Sequence, residues 1–148
     1  MQKRGNLVTT RYELNTPDVM AEDFDADLVL LNLRSGEYFN ITGAARAFLD
    51  TVLDGVCPAS LSTVISQTAP KSGAETALYF ENLQKHNLVR PIKGATALDA
   101  TAAQAAAILA IGVSFPFECF TDLSDLLAAD PIHDVAPEAG WPIMPDAG

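Results

Sequence analysis

Apolar positions in the first half of the chain follow two spacings, first short runs near period two, then three runs near 3.6. Val19–Phe24 reads as a strand, and Asp25, Ala26 and Asp27 turn the chain. Residues 28–33, LVLLNL, are too short and too rich in Leu and Val between turn signals to favour a helix. Arg34, Ser35 and Gly36 form a three-residue hairpin loop, with Gly where a left-handed backbone angle is wanted. In residues 37–41, Phe39 and Ile41 fall on one face, Tyr38 and Asn40 on the other. The pattern predicts an antiparallel meander, and its third strand, Glu37 included, is a candidate open edge.

Three helices follow. After Thr42, residues Ala45, Phe48, Leu49, Val52 and Leu53 share one helical face; after Ser60, Leu61, Val64, Ile65 and Thr68 do the same. Ser72, Gly73, Ala74 and Glu75 match a capping box, and Thr76, Tyr79, Phe80 and Leu83 carry the spacing onward. Asn87 stands where a helix commonly ends in a left-handed residue, and Leu88, Val89 and Arg90 extend beyond it. Asp54-Gly55 and Ala69-Pro70-Lys71 separate the helices. A three-stranded antiparallel sheet followed by three short amphipathic helices is a small α+β domain of the winged helix-turn-helix kind.

The chain changes character near Lys93-Gly94. All nine Lys and Arg and eleven acids precede that point; residues 94–148 contain eight acids and no Lys or Arg. The expected organisation is an N-terminal arm over residues 1–18, the winged-helix domain over 19–92, and an acidic helical extension over 93–148. Residues 95–111 hold nine Ala, with Leu98, Ala105, Ile108 and Leu109 on a weak helical face that Asp99 or Thr101 would cap. Residues 113–120 are apolar with Pro116 in their midst, and Phe120, Leu123, Leu126 and Leu127 then recur at helical spacing with acids between. Asp130-Pro131 stops that pattern, and Trp141 lies in a Gly/Pro-flanked stretch, either a partner anchor or a residue folded back on the surface.

Composition narrows the function classes. The formal charge is -10, which disfavours nucleic acid and anionic membrane surfaces as partners. The longest apolar stretch is far short of the roughly 20 residues that cross a bilayer, so a soluble protein is expected. Two cysteines, Cys57 and Cys119, make no disulfide framework and fit a reducing cytoplasm. No catalytic motif is present: there is no GxSxG, HExxH, phosphate-binding Gly loop or dinucleotide fingerprint. Cys119, His133, Asp130 and Asp134 do not cluster with metal-ligand spacing, so neither a metal nor another cofactor is expected.

The run LVLLNLRSGEYFNITGAARAFLDTVLDG, with the later YFENLQKHNLV, resembles PqqD-family proteins over about residues 19–92. The shared positions are apolar and turn positions rather than catalytic ones, and Asn87 stands where Gly is usual. The resemblance implies a RiPP recognition element, a non-catalytic peptide chaperone in natural product biosynthesis. Such a domain holds the leader of a ribosomally made precursor and presents it to a modifying enzyme, often a radical-SAM maturase. It also implies that the leader adds as a strand to Glu37, Tyr38, Phe39, Asn40 and Ile41 and packs against the third helix, residues 74–86, through Thr76, Tyr79 and Leu83. Strand addition of this kind draws affinity from backbone hydrogen bonds and selectivity from the groove wall.

Other readings stand beside it. Phe48, Leu49, Phe80 and Leu83 read as core, and Tyr38 and Tyr79 as either sheet cover or peptide contacts. Lys71, Lys85 and Arg90 are either solvated surface or a means of steering an acidic leader. Residues 113–135 either cover the domain or a partner in a homodimer, imitate a leader in cis, or dock the modifying enzyme. Functions from other classes are a winged-helix transcription regulator and a structural subunit of an enzyme complex. Against the regulator, residues 74–86 hold one Lys and no Arg beside Glu75 and Glu81. An anisotropy titration with duplex DNA at roughly physiological salt is expected to stay flat into the tens of micromolar.

Overall fold

The computed structural model describes residues 10–121, an α+β arrangement with strands β1 (Thr10–Leu14), β2 (Val19–Phe24), β3 (Asp27–Asn32) and β4 (Tyr38–Ile41). Helices α1 (Gly43–Leu53), α2 (Pro58–Thr68) and α3 (Pro70–Lys85) follow, then β5 (Val89–Thr96), α4 (Ala102–Ile111) and β6 (Glu118–Phe120). The expected meander is present: Val19 pairs with Asn32, and Leu28 with Ile41. Leu28 and Leu30 of β3, with Phe39 and Ile41 of β4, point into the core, as their alternation predicts. Asp25 (φ 57) turns the first hairpin and Gly36 (φ 78) the second.

The sheet nevertheless has four strands, in the order β2-β3-β4-β6, because Glu118–Phe120 pairs antiparallel with β4. A second, two-stranded sheet joins β1 to β5, so part of the N-terminal arm is structural. With α4 there are four helices among the described residues, not three. The added strand comes from a segment whose only local signal is an apolar run broken by proline, and long-range pairing decided it. The change of composition at Lys93-Gly94 falls inside β5. Ala105, Ile108 and Phe115, all beyond it, belong to the same buried cluster as Phe39, Phe48 and Leu61.

Two helix starts differ from their sequence reading. α2 begins at Pro58 and α3 at Pro70, each proline at a first-turn position where its fixed φ and missing N–H cost nothing. The capping box at Ser72 to Glu75 therefore lies inside the first turns of α3, and both side chains are free for other partners. The helix ends as expected. Asn87 adopts φ 58, with Leu88 N–H on the Leu83 carbonyl at 2.9 Å and Asn87 N–H on Gln84 at 3.0 Å. Buried Asn32 then ties this end to the sheet: its amide donates to the His86 carbonyl (3.0 Å), and its Oδ1 accepts from Arg34 and Ser35 N–H. α4 is capped by Thr101 and Gln104 in a reciprocal box.

α2 and α3 touch at Gly73. A Cβ there would lie 1.8 Å from Ser66 Oγ and 2.7 Å from Ser66 Cα, so only glycine allows this approach. One turn on, Ser62 and Thr76 share a buried 2.8 Å hydrogen bond across the same seam. Gly73→Ala is expected to lower stability by about 1–3 kcal/mol, as overpacked cores do, measured by urea unfolding. Ser66→Gly in that background is expected to recover only part of the loss, because the Ser66 backbone itself is in the way.

Candidate functional site

β4 lies between two neighbours. On one side it pairs with β3, and on the other its Tyr38, Phe39 and Asn40 oppose Phe120, Cys119 and Glu118. The side chains add to the backbone pairing: Asn40 Nδ2 donates to Glu118 Oε1 (3.2 Å), and Cys119 Sγ lies 3.7 Å from Glu37 Oε2. Glu37 is held in turn by Ser35 Oγ (3.1 Å) and by His86 Nδ1 (3.5 Å), so the start of β4 is tied to the end of α3.

α3 forms the wall of a groove beside this edge, and residues 113–117 run along it outside any helix or strand. Ser72 Oγ donates to the Val113 carbonyl at 2.8 Å, and Glu75 Oε2 accepts from the Phe115 N–H at 2.7 Å. These are the two side chains left free by the helix starting at Pro70. A charged acceptor on a main-chain N–H makes one of the stronger neutral-partner hydrogen bonds, worth about 1.5–3 kcal/mol. Phe115 is buried against Phe48, ring centroids 6.3 Å apart. Phe117 sits over the mouth of the groove, 5.6 Å from the Phe39 ring, 5.8 Å from Tyr79 and 5.2 Å from His86. Pro116, between them, is exposed. Its ring keeps the segment extended and costs no hydrogen bond where nothing needs its N–H.

Upstream, the same half of the chain is fastened at further points. Ser60 Oγ accepts from Ala100 N–H (2.8 Å), and Leu98 exchanges backbone hydrogen bonds with Gly55 and Cys57. Ala105 and Ile108 of α4 are buried in the common core.

The sequence-expected contact residues divide into two sets. Glu37, Tyr38, Phe39, Asn40 and Ile41 lie together at β4, although Phe39 and Ile41 point into the core and only Glu37, Tyr38 and Asn40 keep part of their surface. Tyr79 lies at the groove floor, in ring contact with Phe117 and Phe48. Thr76 is fully buried at the α2–α3 seam, bonded to Ser62 and to the Gly73 carbonyl, and Leu83 is fully buried core. Both share a helical face with Ser72, but Thr76 is spent on the seam with α2 and Leu83 is closed over by the core, so neither keeps surface for a ligand. Of the anchors expected in the tail, Phe120 stands half-buried opposite Tyr38, while Leu123, Leu126, Leu127 and Trp141 lie outside the described residues. Arg90 is paired with Glu13 (2.8 Å), and Lys71 and Lys85 are exposed.

Sequence reasoning missed Ser72, Glu75, His86, Phe115 and Phe117 as groove residues. The available signal was the alternation Phe115-Pro116-Phe117, two large rings on one side of a segment that proline biases toward extension. Among the described residues no group of three His, Cys, Asp or Glu side chains comes together as a metal site requires, and no helix is long and apolar enough to cross a membrane.

Two ionisable groups are perturbed here. Burial, with Glu118 nearby, raises the Tyr79 hydroxyl above its ordinary range, and that hydroxyl has no hydrogen-bond partner among the described residues. Partial burial and then the Glu37 carboxylate raise the Cys119 thiol. A raised pKa means less thiolate at any given pH. Alkylation of Cys119 by iodoacetamide is therefore expected to be slower near pH 8 than that of a free cysteine peptide, its pH–rate curve displaced to the alkaline side. Glu37→Gln is expected to move that curve back, with mass spectrometry separating Cys119 from buried Cys57.

Compared with known protein families, curated proteins and solved structures, the chain matches none of them.

Proposed function

We propose that this chain is a non-catalytic peptide-binding protein of the PqqD-like, winged-helix kind. It holds the leader of a ribosomally synthesised precursor and presents it to a modifying enzyme such as a radical-SAM maturase. The observation that carries this reading is the use of β4 and α3 together. β4 accepts a short antiparallel strand, and Ser72 and Glu75 of α3 hold the main chain of the segment that leads into it. A groove that grips backbone N–H and C=O groups suits extended peptide, with ring-lined space selecting the side chains.

The winged-helix reading draws support from the order of meander, α1, α2 and α3, with the α2–α3 seam closed at Gly73. As a duplex reader the same helix is poorly equipped. Between its ends the exposed residues are Ala74, Ala77, Leu78, Glu81 and Gln84, and its cations, Lys71 and Lys85, stand at the two ends. Free thiols at Cys57 and Cys119 fit the expected reducing cytoplasm.

A leader peptide from a short precursor encoded beside this chain is expected to bind at micromolar Kd or tighter, about −8 kcal/mol or stronger. Amide shift mapping is expected to place it on Tyr38 to Asn40 and on the Ser72–Glu75 turn of α3. Shifts confined to α2, around Leu61 to Thr68, would overturn the assignment.

A further inference from the structure

We infer that the groove between β4 and α3 takes extended peptides carrying two aromatic residues at i and i+2 followed by an acid, and that residues 113–120 are its resident occupant, displaced when such a peptide binds. The inference rests on the peptide-binding reading above and adds to it the ligand's side-chain pattern and the control of access.

The pattern is read from how the resident segment is held. Phe115 fills the buried end of the groove against Phe48, Phe117 covers Phe39, Tyr79 and His86, and Glu118 then meets Asn40 on β4. The remaining grips are on backbone, at Val113 and Phe115, and any extended peptide satisfies them equally. Specificity therefore lies in the two rings and the acid. Among the described residues that line the groove there is no Lys or Arg, and His86 leans toward Glu37.

The occupant is also built to leave. β6 is three residues long and leaves Glu118 and Cys119 exposed, with Phe120 half-buried. Tyr79 remains without a hydrogen-bond partner beneath it, so this segment does not satisfy the groove fully. Ile111, just before it, and Val113 and Ser114, at its start, are exposed, and Ser72 grips this end through the Val113 carbonyl. Tethering sets an effective concentration on the order of 1 mM. Against an intrinsic Kd on the order of 100 µM, the resident segment would occupy the groove about ten parts in eleven and weaken a competing peptide about tenfold.

The experiment uses the full chain and a fluorescein-labelled peptide with the sequence of residues 112–121. In Phe117→Ala the resident segment loses its half-buried ring while the groove itself is unchanged. Anisotropy is expected to show this variant binding the peptide about tenfold more tightly than the parent. A control peptide with Ser in place of Phe115 and Phe117 is expected not to bind. The chain carrying Asn40→Cys, Glu118→Cys and Cys119→Ser, oxidised to staple β6 onto β4, is expected to bind no peptide until it is reduced. Equal binding by parent and Phe117→Ala, with the staple still blocking, would overturn the resident-occupant inference and leave peptide binding at the groove intact. A Phe117→Ala chain with parental circular dichroism that binds neither peptide would overturn the inference and the peptide-binding reading together. A parent that sediments as a dimer, reverting to monomer in Phe117→Ala, would overturn occupancy in cis in favour of strands exchanged between copies.

Discussion

A β-strand at the border of a sheet presents a row of N–H and C=O groups that must meet water, a guard or another strand. Here that constraint falls on β4, and the chain meets it with residues 118–120 of its own. Much of the remaining architecture serves to bring that short strand home. β5 and the bridge at Leu98 carry the chain past α2, α4 docks through Ala105 and Ile108, and the segment after it is led along α3 by Ser72 and Glu75. The opposite border of the sheet is treated differently. β2 leaves Glu22 and Asp23 exposed, and Arg46 clamps Asp23.

α3 is the second element on which this depends, because three sets of its residues have separate work. Gly73 and Thr76 close the seam with α2, Tyr79 and Leu83 complete the core beneath the sheet, and Ser72 and Glu75 hold main chain. Its far end is fixed by the left-handed Asn87 and by the Asn32 side chain, which sets His86 beside Glu37 and over Phe117. The groove thus has a defined width because both ends of the helix are anchored to other elements. Its rings meet at a tilt or edge to face, the arrangements that aromatic pairs prefer.

The charge distribution fits the same account. The half of the chain without Lys or Arg is the half that supplies the occupant, and Glu118 is its only acid placed on β4 among the described residues. The groove meets it with neutral Asn40 rather than with a cation, so the occupant is held by rings and backbone and exchange carries little electrostatic penalty.

The amino-acid sequence by itself determined the local structure of residues 19–53 almost to the residue. The alternation of Leu28, Leu30, Phe39 and Ile41, the Gly36 turn and the α1 spacing each depend on neighbours within a few positions, and local sterics decide them. The same is true of Asn87, while of the two caps offered for α4, Asp99 and Thr101, the structure uses Thr101. Other assignments were decided only by tertiary contact. Ser72 and Glu75 look like a cap, yet Pro70 starts the helix and these side chains reach residues more than thirty-five positions away. Thr76 and Leu83 share a helical face with Tyr79, but the seam with α2 and the core bury them fully. The fourth strand depends on a partner roughly eighty residues earlier, and no local period in a three-residue segment encodes such a pairing. Local rules specified β4, and the fold alone decided what lies against it.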